Sequence, residues 1–113
     1  MEQAVDEVLQ RAIGLHRKGD LQEAELLYRA ILQSRPQHSD ANHNLGVLAV
    51  SINKVETALP LFKAALDSNS KIEQYWLSYI DALIKEKKFD IAHQVIKRGM
   101  REGVDAKQLN FLK

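Results

Sequence analysis

The sequence contains no cysteine. Disulfides, thiolate metal sites and thiol nucleophiles are therefore excluded together. Proline and glycine are scarce, at two and five residues, so little in the chain interrupts a helix. No excess of charge of either sign exists: 16 basic residues face 15 acidic ones, a net +1. A nucleic-acid binder needs a basic surplus to displace counterions from phosphate, and this chain has none to offer. No stretch approaches the roughly 18 uninterrupted apolar residues of a membrane span. The start, Met-Glu-Gln-Ala-Val-Asp-Glu, is acidic and lacks the positive, then apolar, pattern of a secretory signal. These absences together lead us to expect a cytoplasmic protein with no nucleic-acid and no membrane partner.

What is present is an ordinary globular balance, 45% hydrophobic and 27% charged, in a length that suits one domain over residues 1–113. Apolar residues recur at spacings of three and four, the mark of amphipathic helices. Val8, Leu9, Ala12, Ile13 and Leu15 form one stripe; Leu21, Ala24, Leu27, Tyr28, Ile31 and Leu32 form the next. Sliding the chain by 34 positions brings like onto like. Ala24, Ala58 and Ala92 coincide, as do Tyr28, Phe62 and Ile96. Leu15, Ala49 and Leu83 fall together, and so do Leu32, Leu66 and Met100, then Leu21, Val55 and Phe89. Ala12, Gly46 and Ile80 share a further position. Such a period means one supersecondary unit repeated, each copy burying its apolar face on its neighbour.

The pattern resembles the tetratricopeptide repeat, whose signature runs W-x2-L-G-x2-Y, then A-x3-F, then P. Leu45-Gly46, Ala58 and Phe62 match it in the second unit, Ala24, Tyr28 and Pro36 in the first, and Trp76, Leu83 and Ala92 in the third. The resemblance spans about residues 5 to 106. It implies an all-α fold: a right-handed solenoid of three helix-turn-helix hairpins, with repeats at about 5–38, 39–72 and 73–106. Residues 106–113 then read as a short C-terminal capping helix with Leu109 and Leu112 inward, so that either the chain is a fragment or its open end docks onto something. Within a hairpin, Ala12 or Gly46 gives the room where its two helices meet, while Ile80 departs from the small-residue rule and predicts a slightly splayed third hairpin.

Helix limits are expected at about 3–17, 21–34, 40–51, 55–68, 72–86 and 89–101. Asp20 reads as an N-cap with Glu23 completing a capping box, and Ser39 or Asp40 as the cap of the third helix. Pro60 falls inside the fourth helix, where it predicts a kink or a missing hydrogen bond. Gly103 followed by Asp105 marks a stop.

In proteins of this kind the first helices of the hairpins line a groove. Carried over by position, the groove displays Leu9, Gln10, Ile13, His16 and Arg17 from the first repeat. His43, Asn44, Val47 and Val50 follow from the second, and Leu77, Ser78, Asp81, Ile84 and Lys85 from the third. One class of these proteins grips a C-terminal carboxylate with cationic and amide side chains. Here only Asn44 matches that set, and Leu9, Ile13, Gln74 and Ser78 stand elsewhere in it. A carboxylate needs paired cations to replace its hydration, so that mode is rejected. Gln10, Asn44 and Ser78, one repeat apart, are similar to the amide ladder of O-linked N-acetylglucosamine transferases, where an amide donates to and accepts from a peptide backbone. Alternatively they are plain surface polars. Around them Leu9, Ile13, Val47, Val50, Leu77 and Ile84 read as an apolar trough, or in part as residues packed inside the hairpins.

Catalytic chemistry finds little footing. His16, His38, His43 and His93 have no metal-ligand spacing and read as solvated or capping residues. Asp81 lacks a spaced carboxylate partner. No phosphate loop or nucleophile elbow exists. Lys85, Lys87, Lys88, Lys97, Arg98 and Arg101 alternate with Glu86, Asp90 and Glu102 as on a solvated face. Trp76 and Tyr79 read as core of the third hairpin. The expectation is a non-enzymatic, cofactor-free scaffold that binds a peptide or helix. Two alternatives stay open: a non-catalytic N-terminal repeat domain of a larger bacterial-type glycosyl- or sulfotransferase, and a self-associating homo-oligomer.

Overall fold

A computed structural model describes residues 2–105; the expected capping helix at 106–113 lies outside them. Six helices follow one another: α1 Glu2–Lys18, α2 Leu21–Ser34, α3 Ser39–Ser51, α4 Val55–Ser68, α5 Glu73–Lys85 and α6 Phe89–Arg101. They form three antiparallel hairpins, each helix packed on the next, and no strand occurs among the described residues. No described helix is long and apolar enough to cross a membrane.

The 34-residue period reaches the backbone itself. Gly19, Asn53 and Lys87, one repeat apart, all adopt positive φ, at 88°, 65° and 59°. In each case the next amide reaches back five residues to close the helix: Asp20 to Leu15 at 2.9 Å, Lys54 to Ala49 at 2.8 Å and Lys88 to Leu83 at 2.8 Å. The positive-φ amides themselves bond to His16, Val50 and Ile84 at 3.1, 3.0 and 2.9 Å. This is the Schellman ending, which satisfies carbonyls that the helix end leaves without partners. The same device closes α6 at Gly103, with Val104 donating to Gly99 at 2.9 Å. That ending also displaces the capping box expected at Asp20. Its amide is committed to Leu15, its backbone sits at φ −81° and ψ 68° rather than in the extended conformation of a side-chain cap, and its carboxylate makes no cap bond.

Between hairpins a second tie recurs at the same spacing. Asn42 Nδ2 donates to the carbonyls of Pro36 and His38, both at 3.1 Å. One repeat on, Trp76 Nε1 donates to Ser70 at 2.9 Å. Two dissimilar side chains thus fasten the same loop to the same turn. The cap of α3 is neither Ser39 nor Asp40 but His38, whose Nδ1 accepts the Ala41 amide at 3.1 Å. Asp40 is drawn away by a hydrogen bond from the Tyr75 hydroxyl.

Packing inside the hairpins rests on compensating volumes. A Cβ added to Gly46 would lie 2.5 Å from the Phe62 ring, so glycine is what lets that aromatic close the second hairpin. The third hairpin trades the other way. Ile80 replaces the small residue and is fully buried, opposite the smaller Ile96 in the Phe62 position. Trp76, also fully buried, is accommodated by Gly99, whose added Cβ would stand 3.1 Å from its ring. Tyr79 is buried with it. Burying each large side chain contributes about 1.5–3 kcal/mol. Pro60 sits on the exposed side of α4, which runs through it unbroken from Val55 to Ser68. Proline has no amide, so its turn forgoes one hydrogen bond where water can serve the carbonyl.

Candidate functional site

The first helices approach one another along the stack: α1 touches α3, and α3 touches α5, more than the second helices touch each other. On the opposite side the second helices leave clefts of about 240 Å³ between α2 and α4 and about 350 Å³ between α4 and α6. The stack therefore bends with α1, α3 and α5 on its inner face.

That face separates the expected groove residues into three groups. Leu9, at 5% exposure, belongs to the core of the first two hairpins, and His43, at 9%, is buried as well. Neither presents an open surface, because both fill the joint between neighbouring hairpins. Gln10, Arg17 and Lys85 stand exposed. Ile13, His16, Asn44, Val47, Val50, Leu77, Ser78, Asp81 and Ile84 are half-buried. The apolar members of this last group pack their inner sides on the core and show the rest.

Four of the expected residues come together. Val47, Val50, Ser78 and Asp81, with Ser51, Phe62 and Gln74, line a cavity of about 320 Å³ between α3 and α5. Gln74 enters one helical turn before Ser78 and donates to its Oγ at 3.2 Å. Phe62 comes from α4 and shows an edge through the gap beside Gly46. Asp81 is held by Lys85 at 3.0 Å, one turn away on α5. The ladder of small polars is uneven: Gln10 and Asn44 lie outside this cavity, while Ser78 is already engaged.

Beneath the cavity lies a polar–aromatic cluster that periodicity alone did not reveal. The His43 ring sits 4.7 Å from the Tyr75 ring and 5.5 Å from that of Phe62, centroid to centroid. Its Nε2 is 2.8 Å from Ser78 Oγ. Burial pushes the imidazole below its ordinary value of 6.5, and the Asp40 carboxylate pulls the other way. Tyr75 is pushed up to about 12, first by burial and then by its bond to Asp40, so it stays neutral at any working pH. At the first hairpin a separate pair forms: His16 Nδ1 lies 3.2 Å from the Tyr28 hydroxyl, and burial lowers the His16 pKa. The signal for these contacts was in the sequence only as polar residues at apolar register positions: His43 stands where Leu9 and Leu77 stand, and Tyr75 where Ala41 stands.

Comparison with known proteins agrees with this architecture. The family model of the tetratricopeptide repeat matches residues 9–71. A search of curated proteins returns no match. The fold is similar to that of PilF from Pseudomonas aeruginosa, at a TM-score of 0.79 and 21% identity over 96% of this chain and 50% of that one. It is similar to the first repeat domain of Spaghetti (RPAP3) bound to the HSP90 peptide SRMEEVD, at 0.83 and 16% over 99% and 90%. A Thermobaculum terrenum O-GlcNAc transferase also superposes, at 0.79 and 20%, over 92% of this chain and 20% of that one. The chain thus spans half the length of the PilF structure and a fifth of the transferase. With a family match over more than half its residues and three hairpins built on one period, this chain belongs to the tetratricopeptide repeat family.

Proposed function

We propose that this chain is a non-enzymatic, cytoplasmic interaction module, a single domain of three repeats at about 5–38, 39–72 and 73–106, that takes a peptide or helix along the face of α1, α3 and α5. The observation that carries this reading is the cavity of about 320 Å³ between α3 and α5. Its apolar floor of Val47, Val50 and Phe62 meets a polar rim of Ser51, Gln74, Ser78 and Asp81. An apolar anchor with a few directed polar contacts is how a groove of this size holds an extended or helical segment. Support comes from the RPAP3 domain, which holds a peptide on the same fold. The acidic peptide of that complex is not the ligand proposed here. Leu9, Ile13, Gln74 and Ser78 supply no cation to receive a carboxylate, and Asp81 would repel one. The remaining contact residues of the proposed groove are Gln10, Ile13, His16, Arg17, Asn44, Leu77, Ile84 and Lys85, with Leu9 and His43 as its buried supports.

The test is selection of binding peptides from a random displayed library, followed by amide chemical-shift mapping on the full chain. Perturbations are expected on α3 and α5 around Val47, Val50 and Ser78. Val47→Asp should weaken the selected peptides at least tenfold with helical content unchanged, and Asn44→Ala should weaken them less. Perturbations confined to the outer faces of α2, α4 and α6, or full binding by Val47→Asp, would overturn the groove.

A further inference from the structure

The joint between the second and third hairpins is built differently from the joint before it. At the first joint the inner-face position is Leu9, packed in the apolar core that contains Ala41. At the second joint the same register positions hold His43 and Tyr75. The imidazole is enclosed by two aromatic rings, and its Nε2 contacts a hydroxyl on the next hairpin at 2.8 Å. Beside it the Tyr75 hydroxyl donates to Asp40, a second bond from α5 back to α3. The polar side-chain bonds from α5 to α3, from Ser78 to His43 and between Tyr75 and both Asp40 and Ser39, thus gather around a titratable ring.

We propose that His43 is a proton-operated switch in the α3–α5 joint that sets the hydrogen-bonding character of Ser78 in the peptide groove. This rests on the groove reading above for its regulatory meaning, but not for its chemistry. Ser78 Oγ accepts the Gln74 amide at 3.2 Å and has one proton of its own to give. With the ring proton on Nδ1, the tautomer that this switch requires, the Ser78 proton of the neutral joint goes to His43 Nε2. When the ring is protonated, Nε2 becomes a donor and Ser78 Oγ must accept from it. The serine hydroxyl then turns away from α3 and offers its proton elsewhere. Ser78 lines the cavity, so a partner meets a different pattern of donors and acceptors, and a cation has been placed under its floor.

The surroundings of the ring decide the working range. On its own helix Asp40 faces it and favours the cation. From α4 the neighbour is uncharged Phe62, and Lys63 beyond it is paired with Asp67. From α5 the neighbours are Tyr75, neutral throughout, and Ser78, while Asp81 is held by Lys85. Neither α1 nor α2 contributes a charge with a resolved effect on the ring. Desolvation outweighs the single carboxylate and favours the neutral form, so the switch stays closed at neutral pH and opens as the medium turns acidic.

The experiment is an NMR titration of the free full chain from pH 8 to 5, following the His43 ring carbons and the backbone amides of Gln74 and Ser78. The expected result is a ring midpoint below 6.5, with both amides shifting at that same midpoint. A ring midpoint at or above 6.5, or amides that do not follow it, would overturn the switch. A second arm uses a peptide selected at pH 7.5: wild type should bind it at least threefold more weakly at pH 5.5. His43→Leu, which installs the residue of the first joint, should lose that difference, as should His43→Gln. An equal pH effect in wild type and both variants would overturn the role of His43. Absence of peptide binding at every pH would sink the groove instead, and the ring titration would still decide the switch.

Discussion

The two joints of this solenoid occupy equivalent places in the repeat and are held by different physics. Between the first and second hairpins, Leu9 is buried in an apolar cluster with Ala12, Ala41 and Leu45. Between the second and third, His43, Tyr75, Ser78 and Asp40 join α3 to α5 through hydrogen bonds and ring contacts. An apolar contact tolerates small slides and ignores pH, because dispersion and burial have no preferred direction. A hydrogen-bonded joint fixes a relative position and carries the protonation state of its members. The repeat thus conserves where neighbouring hairpins meet while leaving open how they are held, and in this chain the second joint lies against the candidate groove.

The comparison can be broken most forcefully at Phe62, which packs on both Gly46 and His43 and so supports the second joint from below. Phe62→Ala should destabilise the chain by about 3–5 kcal/mol in chemical denaturation, the usual loss for an aromatic removed from a core. Gly46→Ala acts on the same contact from the other side. Its new methyl would meet a ring at 2.5 Å with little freedom to withdraw, for a loss of about 1–3 kcal/mol. The corresponding position in the first hairpin already carries Ala12, fully buried, so Ala12→Gly should show no such relief and cost about 1–2 kcal/mol through helix propensity and the lost methyl.

Acid distinguishes the joints more gently. The pKa values of His43 and His16 are both lowered by burial, so the unfolded chain binds protons that the folded chain resists. Stability from these groups is fully present above the unfolded value of 6.5 and is lost as pH falls below it toward the folded values. The thermal midpoint should therefore drop between pH 7 and 5. The decline should be shallower in His43→Leu, leaving the share of His16. The smallest effect lies in the turns. Lys87 holds a positive φ of 59° that Gly19 meets without a side-chain penalty in the first hairpin. Lys87→Gly should raise stability by about 0.5–1 kcal/mol, the left-handed cost removed less the entropy of glycine, as read by a shift in denaturant midpoint. Asn53→Gly should gain less, since asparagine already tolerates that conformation.

Helix positions were legible to within a residue or two, since the expected spans 21–34, 55–68 and 89–101 coincide with α2, α4 and α6. Spacing carries that information because a helix must present its apolar face every three or four residues, and a repeat must do so in the same phase each time. Glycine at Gly46 was likewise readable as a site of close approach. Caps were less so. Asp20 has a capping side chain, but the preceding Schellman turn takes its backbone out of the needed conformation, and Asp40 is taken by Tyr75 across the joint. Propensity names residues able to cap, while competition among their partners decides which do.

The candidate groove divides along the same line. By itself the sequence determined the helices and the 34-residue register, because both depend on periodicity, while an inner face of α1, α3 and α5 was expected only from the resemblance to the repeat family. Only the tertiary structure decided that Leu9 and His43 are walls of joints rather than surface, that Val47, Val50 and Ser78 share a cavity with Phe62 and Gln74, and that Ser78 is bonded to His43. These depend on how one hairpin sits on the next. That geometry arises from side chains 35 residues apart finding each other at hydrogen-bond distance, a relation that no local pattern encodes.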